Sequence, residues 1–104
     1  MNFLFNITLI VQKGKEEKIR RLLLENMPHI VHCDDNCYGF NICEILETEN
    51  SETISLPVML WLKCELNEIP ETDSYLESVW NIFSQEISNN EEVLMFPTLM
   101  KVLS

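Results

Sequence analysis

Phe3, Phe5, Ile7, Leu9 and Val11 alternate with Asn2, Leu4, Asn6, Thr8, Ile10 and Gln12. One side of that run is wholly apolar and the other mixed, the period-two signature of a strand burying one face. Gly14 breaks the run. Beyond it, Ile19, Leu22, Leu23 and Met27 recur at helical spacing, so one stripe of a helix packs on the sheet. Pro28 is expected to end or kink that helix, since its ring removes a backbone donor and crowds the preceding turn; a further turn through His29 to His32 is the alternative. Residues 36–47 read as a second strand, with Tyr38, Phe40 and Ile42 on one side and Cys37, Gly39, Asn41, Cys43 and Ile45 on the other. A polar connection over 48–52 leads to a third strand ending near Cys64, where Val58, Leu60 and Leu62 alternate with Met59, Trp61 and Lys63. Pro57, which has no donor for the ladder, belongs at that strand's start or at a bulge. These two strands form a hairpin.

The second helix is announced by Ser74 and Glu77, whose spacing matches a capping box. Leu76, Val79, Trp80, Phe83 and Ile87 make its buried stripe, and Ser88, Asn89 and Asn90 end it. A last strand over 92–103 is interrupted by Pro97, which suits an edge strand or a bulge. The order is βαββαβ, so the chain reads as a single α+β domain over 1–104, ferredoxin-like, with a four-stranded antiparallel sheet and two helices on one face. Two helices cover one side of such a sheet only. The other side would carry Leu4, Asn6, Thr8, Ile10, Asn41, Cys43, Ile45, Met59 and Trp61. A soluble monomer seldom leaves that much apolar area bare, so a homodimer joined through these faces or the edge strands is expected.

Composition narrows the class. Apolar residues make up 46% of the 104, enough for a core and too many for a disordered chain. No run approaches the ~18 apolar residues of a membrane span. The apolar start has no basic residue before it and no small-residue cleavage site after it, so it reads as a strand and not as an export signal. Four cysteines without such a signal point to free thiols and a cytoplasmic location.

A net charge of −10 repels phosphate backbones, which argues against nucleic acid as a partner. The charge is uneven. Residues 13–21 hold five basic and two acidic side chains, a balance of +3, which leaves −13 on the remainder. Lys13, Lys15 and Lys18 are therefore anion-binding candidates beside a helix N-terminus. The plainer account is a solvated face, on which Glu16 with Arg20, and Glu17 with Arg21, sit four apart in the favourable order.

Few motifs carry chemistry. Two glycines, Gly14 and Gly39, are too few for a Walker loop or dinucleotide fingerprint. His29, His32, Cys33, Cys37 and Cys43 are a dense group of nitrogen and sulfur donors, the ligand types zinc prefers. The spacing lacks a second Cys-x-x-Cys knuckle, and buried cysteine commonly serves as a small hydrophobe. No cofactor is implied by any motif. The sequon Asn6-Ile7-Thr8 lies inside a strand and is set aside.

Phe5-Asn6-Ile7-Thr8 on the first strand, Met27-Pro28 at the first helix and Thr98-Leu99-Met100 on the last strand resemble a family of short bacterial proteins, known as a domain of unknown function. The resemblance spans essentially the whole chain. It implies a ferredoxin-like fold akin to the dimeric α+β barrels and carries no activity with it. The chain departs from the family after Pro28, where its two histidines and paired cysteines are unusual. Dimeric α+β barrels include cofactor-free monooxygenases and haem-degrading oxygenases. The latter use an asparagine on the first strand, a tryptophan on the third and a histidine on the last helix. Asn6 and Trp61 are similar by position, and Tyr75 lies on the second helix, but residues 75–90 contain no histidine to ligate haem. The reading that results is a non-enzymatic homodimeric binding or interaction domain, with small-molecule sensing within its scope. The alternatives are a small oxygenase using Asn6, Trp61 and Tyr75, and a metal or thiol protein built on His29 to Cys43.

Overall fold

A computed structural model describes residues 1–45, 53–63, 69–86 and 93–103. The elements run β1 (Asn2–Gln12), α1 (Glu16–His32), β2 (Cys37–Ile42), β3 (Thr53–Lys63), α2 (Thr72–Glu86) and β4 (Val93–Lys101). All four strands form one antiparallel sheet in the order β2-β3-β1-β4, the ferredoxin-like α+β arrangement. The connection over 48–52, Cys64, Ile87 and Ser88 to Asn90 lie outside the described residues.

β1 and β3 are the two inner strands, and each turns an unbroken apolar face to the helices. Phe5, Ile7, Leu9 and Val11 are fully buried, and so are Val58, Leu60 and Leu62 of β3 in register beside them. Onto that face α1 lays Ile19, Leu22, Leu23 and Met27, and α2 lays Tyr75, Val79 and Phe83. Tyr75 was absent from the expected stripe. Its ring packs 6.0 Å from that of Phe5, with the two planes tilted by 54°.

Four local expectations are corrected. Pro28 does not end α1, which continues to His32. The donor it lacks would have met the carbonyl of Leu24, an exposed position where water can serve instead. Ser74 is the third residue of α2 and not its cap, and its carbonyl accepts from the Ser78 hydroxyl at 3.0 Å. Pro57 lies inside β3. Its carbonyl accepts from the Cys43 amide, so its nitrogen also points toward the β2 side, beyond the residue where β2 stops. The missing donor is therefore harmless. Fourth, the alternation assumed along the second strand fails at a bulge between Cys37 and Gly39. Tyr38 becomes the extra residue, and Cys37 joins Phe40 and Ile42 on the core side.

Pro97 fits its expectation: β4 is an edge strand. Thr8 opposes both Pro57 and Phe96, and Ile7 opposes both Val58 and Pro97. Because Pro57 bonds away from β1, alternation directs the Pro97 nitrogen away from β1 into solvent.

Candidate functional site

The face of the sheet turned away from the helices is left uncovered by the two helices of the chain. Its rows can be read from the register: Leu4 between Trp61 and Met100, Asn6 between Met59 and Thr98, Thr8 between Pro57 and Phe96, Ile10 between Ser55 and Leu94. Gly39 and Asn41 of β2 extend the first two rows. Beyond β2 the amides of Cys43 and Ile45 still bond to the carbonyls of Pro57 and Ser55, so the surface continues there. Leu94 is 53% exposed, Phe96 52% and Met100 39%, so large apolar side chains stand bare on the edge strand. One further row, Asn2 opposite Lys63, adds the single charged side chain of this face among the described residues, and none of the face's described residues is acidic although the chain carries −10 overall.

Two polar groups organise this face. The Trp61 indole N–H donates to Asn41 Oδ1 at 2.7 Å, which ties the ring of β3 to β2. Asn6 Oδ1 is buried within the central row and has no hydrogen-bond partner among the described residues. An unpartnered buried acceptor is uncommon.

The expected open face is thus the observed one, with an addition. Leu94, Phe96, Thr98 and Met100 of the edge strand join it, opposite Ile10, Thr8, Asn6 and Leu4. Their period-two alternation with Val93, Met95, Pro97 and Leu99 was the available signal, obscured by the proline within it.

The oxygenase trio is not brought together. Asn6 and Trp61 lie on the open face, while Tyr75 is 4% exposed on the helix side of the same sheet. Desolvation, then a hydrogen bond and the charge of Asp34, push the Tyr75 phenol well above its ordinary range. That phenol is a proton-holding structural group.

The metal group is dispersed as well. His29 and Cys33 meet on the last turn of α1, with Sγ 3.7 Å from Nε2. His32 is exposed on the same turn, Cys37 is buried and Cys43 is exposed beyond β2. Among the described residues no three His, Cys, Asp or Glu gather as a metal site would require. The Cys37 thiol donates to the Gly39 carbonyl at 3.4 Å, and burial pushes its pKa up, which keeps it protonated and unreactive.

Lys13 and Lys15 flank the turn before α1, and Lys18 is exposed on its first turn. That turn is occupied by protein: the Glu16 carboxylate accepts from the Gly14 amide. The backbone amides of Glu16 and Gly14 hold the Glu16 carboxyl below the usual carboxylate range. An anion approaching this N-terminus meets a carboxylate already there. The ion pairs also differ from those expected from spacing, since Arg20 binds Glu17 at 3.0 Å and Glu44 at 3.1 Å.

No family model and no curated protein matches the chain. The chain is similar to a solved structure. That structure, of CPII bound to ADP, AMP and acetate from Thiomonas intermedia K12, aligns over 100% of this chain and 93% of that one, at 12% identity and a TM-score of 0.49. A likeness of that degree bears on neither ligand nor partner here. No described helix is long and apolar enough to cross a membrane.

Proposed function

We propose that the chain is a non-enzymatic binding domain that works as a homodimer, two copies packed open face to open face. The observation that carries this is the largely apolar sheet face, without an acidic side chain among its described residues, on a molecule of net charge −10. Two strongly acidic copies repel at most approaches, and this face is where they meet without carboxylate facing carboxylate. Its size is adequate. Four strands at ~4.8 Å and about nine residues at ~3.3 Å give a footprint of roughly 570 Å² per copy. Both copies together bury about 1,100 Å², just above the ~1,000 Å² that a specific interface needs.

The Trp61 and Phe96 rings give the seam the aromatic anchors that interfaces favour. Small-molecule sensing, on this reading, happens in the cleft that the two faces enclose.

Native mass spectrometry of the purified protein, without chelator, tests the proposal. A dimer is expected at micromolar concentration, and an organic mass retained on it would identify a sensed ligand. A monomer at every concentration would overturn the reading.

A further inference from the structure

On the opposite side of the sheet, where α2 meets the edge strand β4, lies a groove of about 390 Å³ lined by Asp73, Leu76, Glu77, Trp80 and Met95. Leu76 and Met95 are half-buried and pack against the core, and the half-buried Trp80 adds an indole to the same apolar floor. Asp73 and Glu77 are exposed on one rim. They are one helical turn apart, a spacing at which like charges weaken a helix. The ion pairs among the described residues both belong to Arg20, so neither carboxylate is neutralised by one.

We propose that this groove binds a small organic cation, an ammonium or quaternary ammonium head on an apolar body. The two carboxylates attract the head, and the indole face adds a cation–π contact. Leu76 and Met95 receive the apolar body, as the floor of a ligand site ordinarily does. A bare divalent metal ion fits poorly, because two carboxylates leave most of its six to eight oxygen positions unfilled. An anionic ligand of the same shape is repelled.

Hexyltrimethylammonium, titrated into the full chain, is the probe. Binding is followed by the Trp80 indole N–H signal in nitrogen–proton NMR, assigned with Trp80→Phe. The expected result is a saturable shift that weakens with added salt. The neutral n-hexanol should bind about five-fold more weakly, and hexanoate more weakly still. The double variant Asp73→Asn/Glu77→Gln should lose about five-fold toward the cation and nothing toward hexanol. Its remaining spectrum, unchanged, shows that it folds. No saturable shift, equal affinity for cation and hexanol, or a double variant that binds like the parent would each overturn the proposal. The groove is remote from the open face, so cation binding by a monomer would sink the dimer reading alone.

Discussion

Met59→Asp places a carboxylate at the middle of the open face, opposite Asn6 on β1 and Asn41 on β2. In a two-fold dimer the change occurs twice, so two carboxyls enter one seam. Each can remain ionised, at several kcal/mol of desolvation, or bind a proton. Protonation near pH 7 against an unperturbed value of ~3.9 costs about 4 kcal/mol per carboxyl. The cheaper route thus sets about 8 kcal/mol for a fully dry seam. Even a quarter of that, about 2 kcal/mol, weakens the dimer roughly thirty-fold. The single copy is far less affected. Met59 is half-exposed there, so the loss of folding stability should be about 1 kcal/mol.

Sedimentation equilibrium over a concentration series, at neutral and at acid pH, reads this directly. Met59→Leu should dimerise within about three-fold of the parent, because volume and polarity are nearly kept. Met59→Asp should be monomeric at neutral pH and regain association below its carboxyl pKa. A Met59→Asp protein that dimerises like the parent at neutral pH would refute the face-to-face arrangement.

Two further outcomes follow from the helix side. Burial and Asp34 hold the Tyr75 proton above the ordinary phenol range, so the unfolded chain loses that proton first as pH rises. Stability should therefore be full below about pH 10 and fall above it, and Tyr75→Phe should flatten that decline in chemical denaturation. Gly14 adopts φ +97°, with open space where a Cβ would stand, so Gly14→Ala meets backbone strain and no clash. A loss of about 1–2 kcal/mol in thermal or urea unfolding is expected, and an unchanged midpoint would show that the turn relaxes.

Element type and order were legible in the chain because burial on one side of a strand or helix imprints a period, and β1, α1, β3 and α2 keep theirs over two or more turns or pleats. The open face was legible for the same reason on β1 and β3. Where the pattern is short or broken, position along the chain no longer determines direction. One bulge residue, Tyr38, reverses the parity of β2 and carries Cys37 from the surface into the core. Pro28 is tolerated within α1 since the carbonyl it abandons is at an exposed turn, and Pro57 within β3 since the neighbouring strand has ended. Neither fact is local to the proline.

The candidate chemistry followed the same division. Residue types alone could nominate Asn6, Trp61 and Tyr75, or the histidines and cysteines from His29 to Cys43. Periodicity in the chain established two layers, a core and an uncovered sheet face, because those depend on neighbours one to four residues away. Only the pairing of strands and the seating of α2 decided that Tyr75 is separated from Asn6 by the thickness of the sheet. The same long-range contacts left Asn6 Oδ1 without a partner among the described residues and brought Asp73, Glu77 and Trp80 beside Met95 in one groove. Such distances arise between residues far apart in sequence, and no local pattern encodes them.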